Sequence, residues 1–316
     1  MTPRIETIRP PSRAAWLAER RRDVTASEVA ALFGCHPYTT ALQLHHEKRG
    51  TLPPADRDTP AMRRGRVFER VAVDWLREDR PDWRIDYSTE AHVYLRAPDL
   101  RLGATPDLIV EAPEGRGVVQ IKTVAPRALA AWANEAGDPE PPLWIALQCE
   151  LERVLAGAAW GAVAALTISP DFEVSLPLYR VEPVPGMLDA MARLAAAFWD
   201  GVSRGEEPPA DYDRDADLIG QLYAEADPDM ALDLSGDDEI ASLLARRTEA
   251  IGARRTCQRV IDGIDARLKH RMGTAPVAHI GGGRRITWAE EDRKPVFAAG
   301  GTARVLRVPV LPEDPL

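Results

Sequence analysis

Asp107 closes the run Ala104-Thr-Pro-Asp107, and thirteen residues later the chain reads Gln120-Ile-Lys122-Thr. Both motifs sit beside β-prone residues, Leu108-Ile-Val after the first and Val118-Val before the second. In a strand, side chains two apart point the same way, so Gln120 and Lys122 share one face while Ile121 takes the other. Pro106 favours an extended lead-in, which sets Asp107 where a strand begins. If the runs 107–111 and 118–122 pair as a hairpin, Asp107 and Gln120 come together and the Ile121 carbonyl is free to approach a cation. Such a cluster of oxygens suits Mg²⁺, with Mn²⁺ as a substitute, because Mg²⁺ is usually held by one or two carboxylates, waters and substrate phosphate. A bound ion of this kind acidifies a water and neutralises phosphate charge, and a lysine beside it orients the water or steadies developing negative charge. The chemistry implied is hydrolysis of a phosphodiester.

Lysine usage strengthens the case for Lys122. The chain has four lysines, Lys48, Lys122, Lys269 and Lys294, against 36 arginines. A sequence that uses arginine almost everywhere places lysine here. Gln120 is the exception to the pattern, since a carboxylate normally occupies that position in such a site.

The elements that would position these residues follow from periodicity and caps. Residues 12–34 read as helix, turn and helix, with Ser12 as the first cap and Thr25 with Glu28 as a capping box for the second. A helix over about 40–49 ends at Gly50, and a loop rich in Pro and Asp covers 51–60. Residues 61–78 are strongly helical, with Val67, Val71 and Leu76 on one side and Arg63, Arg66, Arg70 and Arg77 on another. From 83 to 122 come short β-prone runs (WRIDY, HVYL, LRLGAT, LIVEA, VVQIK), with Pro113-Glu-Gly115 as the last turn. Helices over about 125–135 and 141–156, strands over 161–168 and 172–181, and a helix over 184–203 complete this part. The order indicates an α/β class: a mixed central β-sheet flanked by helices. Beyond it lie an acidic stretch, a long helix at about 237–271, and a Gly-rich segment leading into β-like runs (RRITWAE, ARVLRVPV).

The net charge of −9 is unevenly spread. Residues 205–240 hold thirteen acids and one base, a local −12, whereas residues 1–70 hold thirteen bases and eight acids, a local +5. Phosphate binding follows the local patch, so the bulk charge does not exclude nucleic acid. No apolar run approaches a membrane span. Cys35, Cys149 and Cys257 are widely spaced and odd in number, which argues against a disulfide framework and for a reducing cytoplasm. The six histidines have no zinc-ligand spacing.

Taken together, Thr25-Ala-Ser-Glu28, Gly65-x-x-x-Glu69, Gly103-Ala-Thr-Pro-Asp107, Gln120-Ile-Lys122-Thr and Gln148 resemble the YqaJ-like viral recombinase family, relatives of lambda exonuclease within the PD-(D/E)XK nuclease superfamily. The resemblance covers roughly residues 12–200. It implies a PD-(D/E)XK restriction-endonuclease-like core over 1–204, followed by an acidic linker over 205–236 and a C-terminal helical arm with a β-like tail over 237–316. It also implies roles. Glu69 matches an acid reaching the metal from outside the sheet, Asp107 the central metal ligand, Lys122 the catalytic lysine, and Gln148 a supporting glutamine on the following helix. Arg20 and Ser27 match positions that bind a DNA 5′-phosphate. Gln120 departs from the family's usual glutamate; its amide oxygen can still meet a metal, with one negative charge lost.

Two functions lead for these residues, with a helical-arm assembly protein that has no nucleic-acid role as a more distant third. One is a Mg²⁺-dependent deoxyribonuclease, a 5′–3′ exonuclease on double-stranded DNA ends in phage-type recombination, encoded by a phage or prophage and acting in the bacterial cytoplasm. The resemblance adds a ring-like homo-oligomer and a single-strand annealing protein as partner. The other is a DNA-end-binding protein on a nuclease fold that cuts weakly or not at all because of Gln120. Arg63, Arg64, Arg66 and Arg70 then form either a DNA track or a solvated helix face. The basic 237–271 helix packs on the body or another subunit, or else touches DNA.

Overall fold

Caps and turns at the expected places explain why the chain breaks into these elements. In a computed structural model, which describes residues 3–52, 59–87 and 93–290, the Ser12 hydroxyl accepts from the Ala15 amide at 3.2 Å and starts helix α1 (Arg13–Arg21), which follows strand β1 (Glu6–Ile8). After β2 (Val24–Thr25) and the short α2 (Val29–Leu32), Thr40 caps α3 (Ala41–Arg49), which stops at Gly50 in the left-handed conformation (φ 78°). Helix α4 (Pro60–Asp79) has Thr59 as its cap and proline in its first turn. Then come β3 (Arg84–Tyr87), β4 (Tyr94–Ala97), β5 (Leu102–Ala104), β6 (Leu108–Ala112) and β7 (Gly115–Thr123). The short α5 (Pro126–Leu129), helix α6 (Leu143–Leu155), β8 (Trp160–Ile168), β9 (Val174–Ser175), β10 (Leu178–Val181), α7 (Met187–Arg204) and α8 (Ala216–Leu222) complete the first of two compact units, Met1–Leu222.

The central sheet runs β10-β8-β7-β6-β3, with β9 also on β8. It is mixed: β6 and β7 form the expected antiparallel hairpin with Leu108 opposite Val119, while β7 and β8 are parallel with Gln120 opposite Val163. A parallel pair needs a crossover, and α6 supplies it. A second sheet, β1-β4-β5-β2, adjoins the first within this unit. This is the α/β arrangement of a mixed sheet flanked by helices that the sequence indicates.

Strand alternation sorts the core into two layers. Val118, Val163 and Ala165 pack with Ile145, Leu151 and Leu155 of α6. Val119, Ile121, Ala162, Ala164 and Leu166 turn the other way and pack with Ala72, Val73 and Leu76 of α4. Gly117 lets the Trp160 indole lie flat on the strand: a Cβ there would stand 2.2 Å from Trp160 Cε2.

Several elements differ from the sequence reading. Thr25 belongs to a strand and does not cap a helix with its side chain. The Glu28 carboxylate does accept from the Thr25 amide at 2.9 Å, half of a capping box, but the Thr25 hydroxyl is taken by Arg20 at 3.3 Å. On α4, Val67 and Val71 are exposed; the buried stripe is Ala72, Val73 and Leu76, because the sheet meets the helix on that side. The helix expected over 125–135 is only the four-residue α5, after which Ala133 bridges to Pro139. Pro177 separates β9 from β10. Residues 205–222, read as linker, belong to the first unit: Asp215 is buried and accepts from the Thr40 hydroxyl at 2.5 Å and the Asp211 amide at 2.8 Å.

The second unit holds the long helix α9 (Asp238–Met272), capped by Asp237, and the hairpin of β11 (Val277–His279) and β12 (Arg285–Thr287). None of the α9 side chains is buried. Parts of the 51–60 loop, His92 of the HVYL run and the ARVLRVPV run lie outside the described residues. Among the described residues, no helix is long and apolar enough to cross a membrane.

Candidate active site

Parity on β7 sends Gln120 and Lys122 to the α6 side of the sheet, while Ile121 is buried against α4. On α6, Gln148 faces them. The Lys122 ammonium donates to Gln148 Oε1 at 3.0 Å, and Gln148 Nε2 donates to Gln120 Oε1 at 3.0 Å. Gln120 Nε2 then donates to Asp107 Oδ2 at 2.5 Å, and the same oxygen accepts from the Ile121 amide at 2.8 Å. The result is a chain of hydrogen bonds running from Lys122 through two glutamines to Asp107.

This chain has one possible direction. An ammonium only donates and a carboxylate only accepts, so both amides between them are fixed in orientation. Gln120 was expected to offer its oxygen to a metal. Here that oxygen faces Gln148, and the NH₂ group faces Asp107. The Ile121 carbonyl receives a long contact from Gln120 Nε2, at 3.5 Å.

Glu69 lies on the same stripe of α4 as Ala72, Val73 and Leu76, at the helical spacing i, i+3, i+4, i+7. One of its oxygens, Oε1, is buried without a hydrogen-bond partner among the described residues. Its charge is felt by two neighbours. Burial and then Glu69 push the Tyr87 phenol well above its ordinary range. Burial and then Glu69 also push the Asp107 carboxyl up to about 7, against the opposing pull of Lys122 and the two hydrogen bonds on Oδ2. The structure thus brings Glu69, Asp107, Gln120, Lys122 and Gln148 into one neighbourhood.

A further acid belongs to this neighbourhood and was not anticipated. Glu152, one turn beyond Gln148 on α6, is 1% exposed. Its Oε1 accepts from Gln148 Nε2 at 2.9 Å, and its Oε2 has no partner among the described residues. Burial, then the nearby Asp107 charge, raises its carboxyl well above the ordinary range. The Gln148-x-x-x-Glu152 spacing, i to i+4 on a helix, was the available signal.

Among the described residues no three Asp, Glu, His or Cys side chains converge closely enough to hold an ion as they stand. The site nevertheless has oxygens suited to a hard cation: the unpartnered Glu69 Oε1 and Glu152 Oε2 beside Asp107. Trp144 flanks the lysine, its ring centre 5.6 Å from Lys122 Nζ.

Near the start of the chain, Arg20 donates to the Ser27 hydroxyl at 2.9 Å and stacks over Trp16 at 4.6 Å. Lys48, only 4% exposed, donates to Glu28 at 2.7 Å and to the Arg20 carbonyl at 3.0 Å. Arg20 and Ser27 therefore form one polar cluster, and Arg20 is among the charges acting on Glu152. Arg63 and Arg66 lie on the exposed face of α4.

Comparison with known proteins gives a family match: the YqaJ-like viral recombinase domain over residues 15–159. No curated protein matches the chain in sequence. Among solved structures, it is similar to an alkaline exonuclease (LHK-Exo) from Laribacter hongkongensis, with 19% identity and a TM-score of 0.42 over 65% of this chain and 99% of that one. The same exonuclease in complex with dAMP matches at 18% identity, TM-score 0.42, with the same coverage. A candidate exonuclease from Eubacterium rectale matches at 12% identity and TM-score 0.40, over 72% of this chain and 98% of that one.

Proposed function

We propose that this chain, with a YqaJ-like viral recombinase domain over residues 15–159, is a Mg²⁺-dependent deoxyribonuclease that degrades double-stranded DNA from its ends, 5′ to 3′, in phage-type recombination. The observation that carries this reading is the linkage of Lys122 to Asp107 through Gln148 and Gln120, beside buried carboxylate oxygens of Glu69 and Glu152 that have no partner among the described residues.

Asp107 and Glu69 are the acids that would hold the ion, with Mn²⁺ as a substitute. When bound, such an ion supplies an acidified water and neutralises charge on the phosphate. Lys122 has three donors, of which one goes to Gln148 Oε1 at 3.0 Å, so the ammonium retains donors for a phosphate oxygen or the attacking water. Gln148 fixes where that ammonium sits. The Arg20–Ser27 cluster is suited to a 5′-phosphate, because a guanidinium and a hydroxyl together offer several donors. Arg63 and Arg66, exposed on the helix that carries Glu69, are assigned to the duplex backbone. By family resemblance, a homo-oligomer and a single-strand annealing protein complete the functional assembly.

The test is release of nucleotides from linear duplex in Mg²⁺. Lys122→Ala is expected to slow it by about 100-fold or more. Equal rates for Lys122→Ala and the parent protein would refute the assignment.

One observation favours a second reading, a DNA-end-binding protein that cuts poorly. Gln120 places an NH₂ group against Asp107, where a cation would otherwise balance that acid. On this reading the parent binds duplex ends in a salt-sensitive way without cleaving, and Gln120→Glu brings cleavage up from near zero.

A further inference from the structure

We propose that Glu152 supplies the carboxylate that Gln120 lacks, so that the ion site of this chain is built on Glu69, Asp107 and Glu152. The inference rests on the nuclease reading above and assigns a residue that neither the motifs nor the family resemblance marks.

The first ground is position. Gln148 Nε2 donates both to Gln120 Oε1, at 3.0 Å, and to Glu152 Oε1, at 2.9 Å. Two oxygens held by one nitrogen are neighbours, so the Glu152 head lies beside the Gln120 head. The helix turn that carries Glu152 is fixed on the sheet by Ile145, Leu151 and Leu155 in the core.

The second ground is how the buried acids of this unit are satisfied. Among the described residues four acids are buried outright: Asp23, Glu150, Glu152 and Asp215. Asp23 holds Arg96 at 2.9 Å and accepts from the Tyr94 hydroxyl at 2.9 Å. Glu150 grips Arg153 through both oxygens at 2.7 Å. Both oxygens of Asp215 accept hydrogen bonds, from Thr40 and from the Asp211 amide. Glu152 differs: its Oε2 has no partner among the described residues. Leaving a carboxylate oxygen buried and unpaired is costly, and a fold retains it where a positive charge is to be accepted.

The third ground is charge. A glutamine at 120 removes one negative charge from the strand, and a glutamate one helix away would return it on ionising against a bound cation. The acids do not converge in this arrangement. Asp107 would hold the ion where the Gln120 amide now sits, and the carboxyl next to that amide is Glu152. Gln148, which holds Glu152 Oε1, is then a positioning residue for both the lysine and this acid.

The experiment is calorimetric titration of Mn²⁺ into the full-length, metal-free protein without DNA. Parent, Glu152→Gln, Gln120→Glu and the double variant Gln120→Glu/Glu152→Gln are compared, with a thermal melt of each to verify folding. Glu152→Gln is expected to weaken Mn²⁺ binding by about tenfold or more, and the double variant to regain it by returning the charge to the strand. Because the glutamine keeps the length and shape of the side chain, both are expected to melt no lower than the parent without metal. The proposal is overturned if Glu152→Gln binds Mn²⁺ as tightly as the parent, if the double variant stays as weak as Glu152→Gln, or if the parent binds no Mn²⁺. Nucleotide release by the parent in Mg²⁺ tests the underlying function separately: cleavage by the parent, with unchanged Mn²⁺ affinity in Glu152→Gln, refutes only the role of Glu152.

Discussion

Asp107→Asn should stabilise the metal-free protein, and the gain should grow with pH. The wild-type carboxyl is pushed up to about 7 from an ordinary 3.8, by burial first and by Glu69 second. A folded state that holds its proton to higher pH than the unfolded chain gains stability from that proton below pH about 4 and loses it as pH rises through about 7. At about 1.4 kcal/mol for each tenfold change in proton affinity, the full loss is about 4 kcal/mol. Glu69 and Glu152 share the repulsion and relax with it, so about half, roughly 2 kcal/mol, should appear when Asp107 alone is neutralised. The substitution costs little locally, because both the Ile121 amide and Gln120 Nε2 donate to the same oxygen, Oδ2. An asparagine that presents its carbonyl there keeps both bonds. For a unit of this size, about 2 kcal/mol corresponds to a rise of roughly 4–8 °C in melting temperature. Differential scanning calorimetry in EDTA, on both proteins from pH 5 to pH 8.5 or so, measures it. The gap should be smallest at the acid end, widen up to about pH 7 and level off above it. An Asp107→Asn protein that melts at or below the parent at the alkaline end, or a gap that does not widen with pH, would show that the acid is not held under this strain.

Three other substitutions probe the scaffold and the end-binding cluster. Gly117→Ala would press a Cβ to 2.2 Å from the Trp160 ring, which is anchored by its own N–H to the Gly115 carbonyl at 3.0 Å; urea unfolding should show a loss of about 3 kcal/mol. Lys48→Met leaves Glu28 without its nearest cation, 2.7 Å away, and should cost about 3–5 kcal/mol, with recovery of most of it in Lys48→Met/Glu28→Gln. Arg20→Ala should reduce the preference for 5′-phosphorylated over 5′-hydroxyl duplex ends by about tenfold, in line with loss of a charge-assisted bond to phosphate, while a melt shows the fold intact.

The readable part of the sequence was the part governed by short-range rules. Two-residue parity placed Gln120 with Lys122, and the hairpin turn at Pro113-Glu-Gly115 delivered Asp107 to Gln120. Caps and glycines marked the bounds of α1 and α3. Where the outcome depended on which neighbour arrives, local rules failed. Val67 and Val71 look like core on a helical wheel, yet the sheet meets α4 on the side of Ala72 and Val73. Asp215 sits in an acidic run that reads as linker, but Thr40, 175 residues away, gives it a buried partner. Glu150 and Glu152 are alike to local rules; the fold reveals that Glu150 takes Arg153 and leaves Glu152 facing Gln148.

The crossover built from β7, α6 and β8 also has a consequence in time. Asp107, Gln120, Lys122, Gln148 and Glu152 are linked by contacts that span only 4 to 28 residues of chain. Loops of that length close cheaply, and local contacts form early. Glu69 arrives differently, on α4, whose Ala72, Val73 and Leu76 have nothing to pack on until β6, β7 and β8 have assembled. Seating α4 is therefore the late step, and it is the one that brings Glu69 against Asp107. Without a cation, α4 is expected to be the first element to lift off on unfolding, and hydrogen exchange along Pro60–Asp79 should slow when Mn²⁺ is added.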